Sequence, residues 1–206
     1  MLACLRDVGD LRSKSRWLLG CGVLLSLLAG GSVSAQREED KVTIRWDIIS
    51  VDFSTKPPTS SEGGIASTRA VDGSKMTLTG RGTFNSFDPI EVTGGGHWQL
   101  FDADGTLVDS GRYHVTNLVS FLEAPGRTGT IDLIGDREDS RAGLALLRIR
   151  YSDGSRGTLV VSCHLMGTPD NVFEGITVSK GFVDYWNRDP DVPGVDANRT
   201  IFHVLR

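Results

Sequence analysis

Apolar and polar positions alternate along almost the whole chain beyond residue 42, and no long stretch repeats apolar residues at helical spacing. Alternation of period two marks strands with one buried face. Residues 42–53, rich in Ile, Val, Trp and Phe and closed by Lys56-Pro57-Pro58, give the first strand predicted. Others follow at about 75–84, 91–101, 106–122, 129–134, 144–151, 158–166, 175–186 and 200–205. Asp72-Gly73, Asp104-Gly105 and Asp153-Gly154 separate several of them, and such dipeptides take positive φ readily in tight hairpins. Residues 56–74, dominated by Pro, Ser, Thr and Gly, carry no apolar period and read as a flexible loop. The pattern predicts an all-β fold, an antiparallel meander of eight or nine strands closed as a small β-barrel, with a β-sandwich as the alternative. Closure removes the exposed strand edges that such a chain must otherwise protect.

One hairpin is specific enough to assign faces. With Asp104-Gly105 as the central turn residues, Trp98 opposes Gly111, Gly96 opposes Tyr113 and His97 opposes Arg112. Val92, Trp98, Leu100, Leu107, Tyr113 and Val115 then share one face, expected to be the core. Thr93, His97, Gln99, Arg112, His114 and Thr116 share the other, a polar stripe that either meets solvent or lines a wet cavity. Glycines opposite Trp98 and Tyr113 leave room for each ring.

The N-terminal 35 residues break the pattern. Arg12, Lys14 and Arg16 precede an apolar run over residues 17–29, and Ser32-Val33-Ser34-Ala35 supplies small residues at a cleavage position. This is the layout of a secretory signal peptide, and the run is shorter than the roughly 20 apolar residues a membrane span requires. Cys21 follows Arg16 too closely, and the apolar run continues too far beyond it, for a lipoprotein box. The expectation is a signal over 1–35 and one secreted or periplasmic domain over 36–206.

Export changes the charge picture. Of 22 basic and 26 acidic residues, 18 and 24 lie beyond residue 35, a formal net of −6. That balance argues against nucleic acid or an anionic membrane surface as a partner of the mature chain. Cys163 is the one cysteine left there, so no internal disulfide forms, and its apolar neighbours mark it as a core residue.

Candidate chemistry is sparse. His97 and His114 are diagonal neighbours on the polar stripe, about 7–8 Å apart at the backbone. With Tyr113 they are candidate acid–base groups, and with Glu91 they are candidate metal ligands. Solvent-exposed histidines on an open sheet are the simpler reading. Asp102-Ala103-Asp104-Gly105 resembles part of a calcium loop but lacks the further ligands. A second acidic cluster runs over 189–196. Residues 183–189 mix aromatic and polar groups, making Tyr185, Trp186 and Asn187 candidate binding residues beside Arg112 and Gln99. Asn198-Arg199-Thr200 fits a glycosylation acceptor. Gly94-Gly95-Gly96 is no phosphate loop, since neither a helix nor Lys-Ser/Thr follows it. No cofactor motif occurs, and none is expected.

Gly80-Arg81-Gly82-Thr83-Phe84, Val92–His97-Trp98 and Ser110-Gly111-Arg112-Tyr113-His114 together resemble the glycine–aromatic spacing of secreted bacterial β-proteins of unknown function. The strand-rich plan is also similar to the small barrels of allene oxide cyclases and dirigent proteins. That resemblance implies a fold and carries over no site residue. The leading expectation is a small, partly apolar ligand bound at the barrel mouth. A cyclase or isomerase using His97, His114 or Tyr113 is one alternative. A non-catalytic interaction module contacting partners through 185–191 is the other.

Overall fold

Fourteen strands form among the residues described by the computed structural model, 42–189 and 198–206. The expected signal over 1–35 and most of the 189–196 acidic cluster lie outside them. Six strands close an antiparallel barrel in the spatial order β1 (Thr43–Asp52), β5 (Arg81–Asn85), β6 (Gly95–Phe101), β7 (Leu107–Ala124), β9 (Ser140–Tyr151) and β14 (Arg199–Leu205). The first and last strands complete the ring, pairing from Thr43↔Leu205 to Ile49↔Arg199.

Two excursions add strands outside the ring. In the first, β2 (Thr59–Glu62) pairs with β1, and β3 (Ala66–Arg69) pairs with β4 (Lys75–Leu78). In the second, β10 (Arg156–Cys163) pairs with β9 and with β11 (Gly175–Lys180). Next, β12 (Val183–Tyr185) returns along β11, and β13 (Asn187–Arg188) crosses to β3. The short β8 (Ile131–Asp132) pairs with β2 in parallel.

The run predicted at 75–84 is a single bent ribbon. Its first half, β4, pairs with β6, and beyond Thr79-Gly80 the second half, β5, crosses to β1. A Cβ at Gly80 would fall on the Tyr113 hydroxyl, so glycine lets the ribbon bend over the ring. Residues 56–74 are not the loop expected, since β2 and β3 lie within them. Their buried residues are hydroxyl-bearing (Ser60, Ser67, Thr68) or small (Gly64, Ala66, Ala70), which apolar periodicity cannot register. Ser67 Oγ pairs with Thr77 Oγ1 at 3.1 Å, and Thr68 Oγ1 donates to Tyr185 O at 2.7 Å. Such pairing removes the cost of burying a hydroxyl.

Side chains fill the barrel. Ile44, Trp46 and Ile48 point inward from β1, with Phe202 opposite Trp46 and Phe84 opposite Ile44. Phe84, Phe121 and Phe202 meet with centroids 5.1–6.3 Å apart, and Trp98 packs edge-on to Tyr151 at 5.6 Å. A six-strand ring of this kind leaves no ligand-sized hole along its axis.

The alternate residues of β1 and β14 face outward, yet Asp47, Ile49, Val51, Ile201 and His203 are buried there. Their cover is an outer lap, residues 128–139, laid across that face. Ile131 N donates to Pro58 O at 2.7 Å and Leu133 N to Ser60 O at 3.0 Å. Ser60 Oγ and Thr130 Oγ1 lie 2.6 Å apart, and Arg137 Nε donates to Thr128 O at 3.0 Å. Beneath the lap, His203 Nε2 lies 2.8 Å from Asp132 Oδ2, with both side chains 2% exposed.

Candidate functional site

The β6–β7 hairpin has the predicted register: Trp98 opposes Gly111, Gly96 opposes Tyr113 and His97 opposes Arg112. Trp98, Tyr113 and Val115 are buried as expected, and a Cβ at Gly111 would lie 2.9 Å from Trp98 Nε1. Gly96 serves a different purpose, because its Cβ would strike the Thr79 carbonyl of the neighbouring ribbon rather than Tyr113. Leu107 departs from the assignment at 49% exposed, since the ladder shifts between Leu100 and Phe101 and turns it outward. The Asp102–Gly105 segment is a turn held by its own acid. Asp102 Oδ1 accepts from Asp104 N at 3.0 Å and from Thr106 N at 2.8 Å.

The polar stripe lies on the outside of the barrel. His97, Gln99, Arg112 and His114 are all exposed. His114 and Arg112 border an open depression with Gly94, Gly95 and Gly96, and His97 is not part of its lining. Tyr113 is 4% exposed and donates its hydroxyl to Thr79 O at 2.9 Å; burial raises its pKa far above the ordinary phenol range. Its proton is therefore fixed in a structural bond, away from the two histidines. Glu91 accepts from Asn85 Nδ2 at 3.0 Å in a separate loop contact. Among the described residues no group of three or more His, Cys, Asp and Glu side chains is gathered to hold a metal ion.

The other candidates also disperse. Tyr185 is buried opposite Val178 of β11, whereas Trp186 and Asn187 are exposed. Asn198 is 1% exposed at φ +52°, and its side-chain carbonyl accepts from Ser67 N. The glycosylation reading of Asn198 therefore gives way to a structural one: the amide is spent tying β14 to β3. Cys163 is fully buried, with its thiol on Thr200 O at 3.1 Å; burial, then the charge of Glu174, pushes its pKa well above the ordinary value. Neither exposure nor activation supports a nucleophile there.

A different place is built as a site. Between the lap and the outer face of β1 and β14 lies a recess of about 170 Å³. Ile49, Val51, Phe53, Leu165, Met166 and Ile201 form its apolar walls. Ser60, Thr128 and Thr130 line the lap side, joined through hydroxyl contacts of 2.6 and 2.8 Å. His164, Glu174 and Arg199 stand at the polar end, where a second depression adjoins through the same three residues.

Each polar group at that end is positioned by its neighbours. Glu174, 7% exposed, accepts from Thr200 N at 2.6 Å and from His164 N at 2.5 Å, clamping β10 to β14. His164 Nδ1 lies 2.7 Å from Val172 O. A carbonyl only accepts, so Nδ1 carries the proton and Nε2 keeps its lone pair in the neutral ring. The Arg199 guanidinium lies over the Phe53 ring, 5.3 Å from its centroid. An apolar pocket with a few convergent polar groups is the usual form of a small-molecule site.

Sequence reading missed this recess because no local motif carries it. Its walls come from β1, β2, β14, the lap and the 164–166 turn, brought together only by barrel closure. The one local signal is the Thr128-Gly129-Thr130 alternation, in which the hydroxyl residues are buried or half-buried and the glycine is exposed. No protein-family model, curated protein or solved structure matches this chain.

Proposed function

We propose that this is an exported, barrel-based carrier or sensor that binds a small, partly apolar molecule, and that the recess beneath the lap is its site. The observation that carries this reading is the joining of six apolar side chains to a fixed polar end around about 170 Å³. A closed apolar cavity of about 150 Å³ accepts benzene, so a single ring or a short branched chain is the matching size. The binding place is thus shifted from the barrel mouth, where the packed interior leaves no room, to the outer face. The enzyme reading asks for His97 and His114 in one concave pocket, a condition this geometry does not meet.

Thermal unfolding with benzyl alcohol tests the proposal, since a ligand that binds only the folded state raises Tm. Gly129 lines the recess, and a Cβ there meets only Met166 Cε at 4.0 Å. The backbone there therefore accepts a Cβ, and Gly129→Leu, which adds apolar bulk at the recess, is expected to abolish the rise seen for the wild type. No rise in the wild type, or an equal rise in both proteins, contradicts the proposal.

One observation favours an interaction module as a second reading. Phe182 is fully exposed at the β11–β12 turn, with Val183 and Trp186 also exposed nearby. Sedimentation at rising concentration tests it, with Phe182→Ser expected to reduce any self-association.

A further inference from the structure

Independently of the recess, we propose that the outer face of β6, β7, β9 and β10 is a docking surface for an acidic polysaccharide, a chain carrying repeated carboxylate or sulfate groups. Basic side chains form a cross-strand row there, since His114 lies opposite Arg150 and Arg150 opposite Arg156. Arg112, opposite His97, and Arg148 flank the row two residues along β7 and β9. All four arginines and both histidines are exposed. No Asp or Glu occurs in β6, β9 or β10, or in β7 between Ser110 and Leu122. Among the described residues, none of the four guanidinium groups forms an ion pair. The acids bordering the face are engaged or set apart. Asp153 pairs with Lys180, Glu62 pairs with Arg45 and Arg81, and Asp109 accepts from Ser110 N at 2.8 Å. Asp184 stands on β12, two strands beyond β10.

The formal net charge of −4 conceals this face, because acids farther off than a Debye length of about 8 Å do not cancel a local field. Adjacent strands lie about 4.8 Å apart and alternate residues about 7 Å, so the row and its flanks spread over roughly 10 by 7 Å. One small anion reaches a pair of these groups, whereas a chain of anions reaches them all. Arginine supplies the full charges, and its planar fork takes two oxygens of an oxyanion at a time. On the β6 side the row ends at Gly95, beside an open depression of about 520 Å³ bordered by Arg81, Arg112 and His114. Gly82, Gly94, Gly95 and Gly96 line it, and a Cβ at any of them would strike neighbouring backbone. That bare lining leaves room for a sugar ring. None of the aromatic side chains of these strands is exposed, so the face lacks the stacking platforms that single-stranded nucleic acid uses. Its other outward residues, Gln99, Ser110, Thr116 and Thr158, are polar and offer a bilayer no apolar anchor.

Isothermal titration of the protein with heparin at low salt tests this, beside uncharged dextran, duplex DNA, oligothymidylate and phosphatidylserine vesicles. Heparin is expected to bind most tightly and dextran not at all. Arg150→Gln with Arg156→Gln should weaken heparin about tenfold, and Arg148→Gln alone about threefold. Arg127→Gln with Arg188→Gln, exposed positions off this face, makes the same change of net charge and should weaken it less than about twofold. No heparin binding, equal weakening by the two pairs, or tighter binding of dextran, either DNA or the vesicles contradicts the proposal. Each of those results leaves the reading of the recess as it stands.

Discussion

At the scale of single residues, this chain uses its aromatic side chains as structural posts and leaves His97 and His114 exposed on the outside of the barrel. Tyr113 donates to Thr79 O beneath the bend at Gly80, so the hydroxyl holds the ribbon that feeds both β4 and β5. Tyr113→Phe is expected to cost about 1 kcal/mol in urea unfolding, the net worth of one buried hydrogen bond. His97→Ala and His114→Ala should stay within about 0.5 kcal/mol, as exposed positions do. A histidine variant costing more than Tyr113→Phe would overturn this division. The residue pairs Trp98–Gly111 and His97–Arg112 match the register read from the Asp-Gly turn, although the ladder beside the turn is displaced by one residue at Phe101↔Leu107 and regains that register at Leu100↔Asp109. The direction of Leu107 was not legible, because a bulge two residues from the turn reverses it. Gly96 was placed correctly for an incomplete reason: the strand that crowds it comes from another hairpin, invisible to a pairwise argument.

At the scale of elements, the lap is the part most exposed to solution conditions. Burial opposes ionisation of Asp132, but the His203 hydrogen bond and the N–H groups of Ile134 and Gly135 outweigh it and hold its pKa below the ordinary 3.8. A depressed carboxyl pKa stabilises the fold above its unfolded value and loses that contribution as pH falls through the folded one. Asp47, on the same face, acts oppositely: burial, only partly offset by Arg45, raises its pKa, so its ionisation subtracts stability as pH rises. The lap itself touches Asp132, so acid should loosen it first. Amide protection factors at Ile131 and Leu133 are expected to drop below pH ~4 before those of Val161 in β10. Asp132→Asn should lower them already at neutral pH. Equal protection at all three amides down to the global acid transition contradicts a lap latched by Asp132. None of this was readable from sequence, since Asp132 and His203 lie 71 positions apart and meet only through closure. The strands β2 and β3 escaped for a related reason: Ser60 and Ser67 are buried against other hydroxyls and Thr68 donates to the Tyr185 carbonyl, and hydropathy counts all three as surface.

For the whole molecule, the decisive fact is that the barrel closes with the first and last strands and is full. Phe202 joins Phe84 and Phe121 at the seam, so Phe202→Ala should cost about 3–5 kcal/mol. That loss should appear in a single cooperative unfolding transition, and a small loss or two transitions would show that the seam is not what unifies the fold. The barrel itself followed from alternation and turn chemistry, because those signals are local and repeated. The recess did not, because it is made where distant segments overlap outside the ring. A filled interior leaves the outer face as the place where a small molecule fits, and the account stands or falls there. Its most direct test is carbon-13 methyl NMR of the domain titrated with benzyl alcohol, observing Ile49, Met166 and Ile201 against Ile44 and Ile48 inside the barrel. The account predicts saturable shifts in the first three methyl sets, little change in the last two, and loss of the shifts in Gly129→Leu. Shifts spread evenly over all five, or none at saturation, would contradict it.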